Sequence, residues 1–203
     1  MEGVFRSRLR AKKNRVLRLY RHRPARARRL CVDEFGPLQV KPQAGSSWAP
    51  QGKPDRLRAT YTRPHGIGYL FGAYDLEDDL LRGAYRRRRG GREFLEQLRY
   101  LRRCYPLDER LMVVCDNLST HTTPKIAEWL PEHNAELVLL PTYSSWLNRI
   151  EGHFAALRSF AIAGSDYPDH AAIERALHRY LRWRNAHRND SGLRRAEKRG
   201  CFS

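Results

Sequence analysis

Three acidic residues carry the chemical interest of this sequence: Asp33, Asp116 and Glu151. Asp33 follows the run Leu30-Cys31-Val32, and Asp116 follows Leu111-Met112-Val113-Val114-Cys115, so each reads as an acid at the carboxyl end of a buried strand. Ligands of open α/β sheets commonly bind at that edge. Glu151 falls in the first turn of a helix, after a strand over Glu136–Leu140 and a loop from Pro141 to Asn148. Three carboxylates within a few ångströms of one another repel, and one of them has its pKa raised unless a cation joins them. Mg²⁺ or Mn²⁺ is the fitting ion, hard and oxygen-seeking. Two such ions roughly 3.5–4 Å apart would clamp an in-line phosphoryl displacement. The competing reading is plain solvation: the chain has 22 acids, and an acid at a strand end is often simply a hydrated side chain.

The elements that must position these acids follow from periodicity and punctuation. Residues 7–22 have an irregular helical pattern among arginines, closed by Pro24. Lys41 to Pro54 is a Pro-, Gly- and Ser-rich loop with Trp48 as an anchor. Ala59–Arg63, Ile67–Tyr74 and Leu80–Tyr85 read as an antiparallel meander. Phe94, Leu98, Leu101 and Tyr105 make an amphipathic helical stripe that Pro106 ends. Thr123-Pro124 opens a short helix with a capping hydroxyl, and Pro131 terminates it. A helix runs from about Arg149 to Ala163; another, capped by Asp169, turns Ile173, Leu177, Tyr180 or Leu181, and Arg184 to the core. The tail after Asn189 is basic and lacks periodicity. Antiparallel strands followed by alternating helices and strands predict a mixed α/β layer around one central sheet, parallel in its second half.

Composition bounds the function. The 203 residues hold 39 Lys+Arg against 22 Asp+Glu, a net charge of +17, which favours a polyanionic partner and nucleic acid first. Residues 1–30 carry 12 of those basic residues and one acid, Glu2. That stretch reads equally as a solvated basic segment and as an arm along phosphates. The longest apolar runs, such as Leu111–Cys115, are too short to span a bilayer. Cys31, Cys104, Cys115 and Cys201 show no zinc-ligand spacing, and Cys31 and Cys115 read as small core residues in a reducing, cytosolic setting.

The text around the three acids resembles a known family. Val32-Asp33-Glu34-Phe35-Gly36-Pro37, Cys115-Asp116-Asn117-Leu118-Ser119-Thr120-His121 and Leu140-Pro141-Thr142-Tyr143-Ser144-Ser145-Trp146-Leu147-Asn148-Arg149-Ile150-Glu151 resemble three boxes of bacterial insertion-sequence transposases. The group is the insertion-sequence-630 family of the mariner-like superfamily. Its spacing of 34 residues between the second Asp and the Glu is met here between Asp116 and Glu151. Further matches are Trp48–Pro54, Arg58–Tyr61 and Tyr180–Asn185.

The resemblance implies an RNase-H-like fold, a mixed sheet flanked by helices, with Asp33, Asp116 and Glu151 as the metal-binding catalytic triad. It places Asn117, His121 and Asn148 as substrate-orienting or supporting residues. Glu34, on the opposite side of its strand from Asp33, stays outside the triad. The implied organisation is a basic connector over 1–27, a catalytic domain over 28–188 and a basic irregular tail over 189–203. The implied reaction is divalent-metal-dependent cleavage at transposon ends and strand transfer into target DNA at TA dinucleotides, in a bacterial cytoplasm at the nucleoid. Dimerisation fits, since two element ends must meet. The helix-turn-helix modules with which family members begin are not seen, which suggests a truncated or decayed copy, or one half of a split gene. Arg149 stands where the family often has proline and is a candidate DNA contact. Two rivals stay open: another RNase-H-like nuclease or resolvase, and a DNA-binding remnant without catalysis.

Overall fold

The computed structural model describes residues 2–45, 50–53 and 66–200. Trp48 and the expected strand Ala59–Arg63 lie outside the described residues, as does Cys201.

The sheet is built on strand β1 (Ala27–Gln39). Its residues alternate between two apolar environments: Cys31 and Phe35 join one core cluster, Leu30 and Val32 the other. Such alternation follows from the two-residue repeat of an extended chain. On one side β1 pairs antiparallel with β2 (Ile67–Asp75), which pairs antiparallel with β3 (Leu80–Arg86). On the other side it pairs parallel with β4 (Arg110–Cys115), which pairs parallel with β5 (Ala135–Leu139). The result is a five-stranded mixed sheet in the order β3-β2-β1-β4-β5.

Helices cover both faces. The first cluster is closed by α1 (Glu2–Arg21), α4 (Ile150–Leu157) and α5 (His170–Ala186), through Val16 and Leu19, Phe154 and Leu157, and Ile173 and Leu177. The second is closed by α2 (Gly91–Arg103) and α3 (Pro124–Glu132), through Phe94, Leu98, Leu101, Ile126 and Trp129. The periodic stripes predicted for α2 and α5 are buried as expected, and the Asp169 carboxylate caps α5 by accepting from the Ala172 N–H at 2.6 Å. A π-helical turn, Arg158–Ile162, continues α4 to the end predicted for that helix.

Several expectations are corrected. β1 does not stop at Asp33; it runs on to Gln39 because β2 keeps pairing with it after β4 has ended. Thr123 occupies the N-cap of α3 without a side-chain cap bond, since its backbone carbonyl accepts from Ile126 and Ala127 instead. Pro131 lies inside the last turn of α3, and Asn134, at φ +48°, makes the turn into β5. The expected irregular tail contains a helix, α6 (Ser191–Gly200). It docks through Leu193 and Glu197, the latter accepting hydrogen bonds from the buried Arg184 of α5 at 2.8 and 3.2 Å.

One close approach brings α4 to the sheet. Gly72 of β2 is the register partner of Asp33, and a Cβ there would lie 2.7 Å from the Phe154 ring and 3.0 Å from Ile150. The missing side chain lets α4 lie directly on the sheet beside Asp33. Gly72→Val is therefore expected to destabilise the protein by about 1–3 kcal/mol through overpacking. Urea unfolding would read this as a lower midpoint with an unchanged slope.

Candidate functional site

Parallel pairing of β1 with β4 ends at Cys31 opposite Val114, whereas β1 continues along β2. Beyond that point the two strands part, and Asp33 and Asp116 stand at the parting. Asp33 faces the α4 side of the sheet. Its Oδ1 accepts the Glu34 N–H at 2.8 Å, and its Oδ2 accepts from Asn148 Nδ2 at 3.3 Å. The same Asn148 nitrogen donates to the Val32 carbonyl at 3.0 Å, so this buried amide stitches the loop before α4 onto β1. The Asn148 carbonyl in turn accepts the Glu151 N–H at 3.1 Å, which sets the first turn of α4.

A second brace comes from α1. The Tyr20 hydroxyl donates to the Leu147 carbonyl at 2.8 Å, and the Arg149 guanidinium stacks over the Tyr20 ring at 4.4 Å. Arg149 also lines a groove with Arg194 and Lys198. The loop between these anchors is exposed: Tyr143 is 99% accessible in the left-handed region at φ +60°, and Trp146 is 58% accessible.

The predicted site residues therefore separate. Asp33, Glu151 and Asn148 meet on one face, and Asp116 is close enough for its charge to act on Asp33. His121 is buried at the Asp116 end, with Nδ1 2.7 Å from Asp116 Oδ1. Asn117 is exposed and holds no partner among the described residues. Glu34 is the residue that sequence reasoning set aside. It does point to the opposite face, yet its side chain is only 3% exposed and Oε1 lies 3.0 Å from His121 Nε2. The available signal was an acid on a buried face with a histidine five residues after the second Asp.

Electrostatics agree with a shortage of positive charge. Burial pushes the Asp33 pKa up to about 7, with the charges of Glu151, Asp116 and Glu34 adding to it against the Glu34 N–H. Burial also raises Glu151, opposed by the Arg158 charge. Burial disfavours a charged His121, but hydrogen bonding to Asp116, Cys115 and Glu34 prevails and lifts it to about 12. Asn148 Oδ1 is buried without an aligned hydrogen-bond donor, and 31% of the Asp116 side chain is open to solvent. A hard divalent cation fits this all-oxygen set of donors. Among the described residues, no three acidic, histidine or cysteine side chains converge tightly enough to grip an ion as they stand.

The Asp33 carboxyl holds its proton more tightly folded than unfolded, so the stability it contributes is full below the unfolded value of 3.8 and lost as pH rises through about 7. Metal-free protein should lose at most about 4 kcal/mol across that window. Thermal melts in chelator from pH 4 to 8 should show the decline, and Asp33→Asn should flatten it.

The chain matches the family model described as DDE superfamily endonuclease over residues 28–174, well over half its length. No curated protein is found to match it by sequence. Among solved structures it is similar to the Mos1 mariner transposase catalytic domain, with a TM-score of 0.60 at 16% identity over 99% of this chain and 95% of that one. It is also similar to the Mos1 mariner paired end complex with Mn, with a TM-score of 0.63 at 19% identity over 94% of this chain. The chain spans 59% of the length of that Mos1 protein. These likenesses show the RNase-H-like fold that the resemblance implied. The match over residues 28–174 places the chain in the family of DDE superfamily endonucleases.

Proposed function

We propose that this chain is the catalytic domain of a transposase that cuts DNA at the ends of a mobile element and joins the freed ends to target DNA. The observation that carries this reading is the Asn148 amide. It ties the loop before Glu151 to Asp33, whose carboxyl burial and neighbouring acids make short of cations. Asp33, Asp116 and Glu151 would hold two divalent ions, Mg²⁺ or Mn²⁺. Bound cations of this kind supply Lewis-acid stabilisation of charge on the attacking and leaving oxygens of an in-line displacement.

The protein's own groups do the rest. The Glu34 N–H and Asn148 Nδ2 fix one oxygen each of Asp33, so that carboxylate cannot swing away. The Glu151 carboxylate sits in the first turn of α4, where the helix dipole favours negative charge. The net charge of +17 attracts phosphates, and the exposed rings of Tyr143 and Trp146 offer stacking surfaces for bases beside the site. In the first step water attacks a phosphodiester and a 3′-hydroxyl leaves. In the second that hydroxyl attacks a phosphodiester of the target and a target 3′-hydroxyl leaves, so no covalent enzyme–DNA bond is needed. A homodimer would bring two element ends together.

The test compares wild type with Asp116→Asn on DNA carrying the element's ends, with Mg²⁺ or Mn²⁺. The wild type should nick and join, and the variant should lose about a thousandfold or more, the scale of removing one member of a catalytic unit. Equal rates in both proteins would sink the assignment. Metal-dependent cutting of branched DNA without joining would move it to a resolvase-type nuclease.

A further inference from the structure

We propose that Glu34 and His121 are positioning residues that hold Asp116 from the opposite face of the sheet, through the chain Glu34 Oε1–His121 Nε2 and His121 Nδ1–Asp116 Oδ1. The inference rests on the proposed role of Asp116 as a metal ligand.

Strand alternation makes the arrangement possible. Consecutive residues of β1 leave by opposite faces, so Asp33 goes to the α4 side and Glu34 to the α2 side. There Glu34 meets His121 at 3.0 Å, and His121 reaches Asp116 Oδ1 at 2.7 Å. The His121 Nδ1–H is aligned better with the Asp116 carbonyl, 3.4 Å away, so the ring braces both the carboxylate and the backbone of that residue. Phe94 of α2 stacks on the imidazole with ring centroids 3.9 Å apart, which fixes the plane of the ring. At the far end Arg89 stands 3.2 Å from Glu34 Oε2. The order Arg89, Glu34, His121, Asp116 runs from the protein surface to the site.

Folding alone does not call for this device. A buried acid–base pair contributes little net stability against apolar residues of similar volume. The α2 face around it is already apolar, with Phe94, Leu95 and Leu98 buried. What the pair supplies is direction. Asp116 follows the last residue of β4 and begins a loop, so no strand pairing holds it. Its Oδ1 is buried while 31% of the side chain stays exposed, which leaves Oδ2 as the oxygen open to a ligand. Partners behind a ligand commonly set its orientation, and their loss costs 10–100-fold in metal affinity.

The test is Mn²⁺ binding to the intact chain, followed by electron paramagnetic resonance, with unfolding midpoints and nicking rates measured alongside. Glu34→Gln keeps the shape of the side chain and removes its charge. It should raise the Mn²⁺ half-saturation concentration about 10–100-fold. Saturating Mn²⁺ should restore most of the nicking rate, whereas Asp116→Asn should not recover. His121→Gln, a second variant, should shift Mn²⁺ binding in the same direction. In an Asp116→Asn background, Glu34→Gln should add no further loss of binding. Wild-type half-saturation in both folded single variants, while Asp116→Asn loses the ion, overturns the relay and leaves the proposed function standing. Mn²⁺ binding unchanged in Asp116→Asn itself overturns both.

Discussion

A central strand cannot send two consecutive carboxylates to the same place. β1 has neighbours on both sides and helices over both faces, so Asp33 and Glu34 each arrive in surroundings that exclude most water. An unpaired charge there is costly. Each acid is met by a different solution. Asp33 receives two N–H donors but no cationic partner among the described residues, and burial with the neighbouring acids raises its affinity for a proton. Glu34 receives an imidazole and a guanidinium. On the proposed function, the undercompensated acid is the one that would meet a cation, and the compensated acid serves as support.

Glu151 depends on a different set of contacts, because it belongs to a helix and not to the sheet. Asn148 ties that helix to β1, Tyr20 ties the preceding loop to α1, and Gly72 clears the ground beneath Phe154. Behind it, Glu197 of α6 lies 2.8 Å from His153 and bonds Arg184, which itself reaches Asp79 in the turn before β3. The elements packed around α4 come from the beginning, middle and end of the chain. The position of one carboxylate is thus a property of the whole fold.

The α2 and α5 stripes were legible in the sequence because apolar side chains repeat at helical spacing, and the buried strands because four or five apolar residues run together. The three acids were legible through their local boxes. What escaped was set by partners distant in sequence. The direction of Glu34 follows from alternation and His121 stands in its own box, but the two are 87 residues apart and nothing local announces that they pair. The α6 helix escaped for a related reason: it docks through Leu193 and a charged Glu197, and a search for apolar periodicity passes over such a surface. β1 was cut short at its acids, whereas the strand runs on past them with a shift of register between Phe35 and Leu38.

The π-helical turn after α4 is where that helix ends, with a turn at Ala163 and Gly164 beyond it. The Ala163 N–H bonds to the Arg158 carbonyl at 2.8 Å, so one extra residue is spent in that turn. A π turn is wider than an α turn, and here it closes the helix. Ala161 and Ile162 are buried in it while Arg158 and Phe160 are exposed. The helix that begins at the Glu151 carboxylate therefore ends in an apolar plug set into the first core cluster, anchored at the end away from the site.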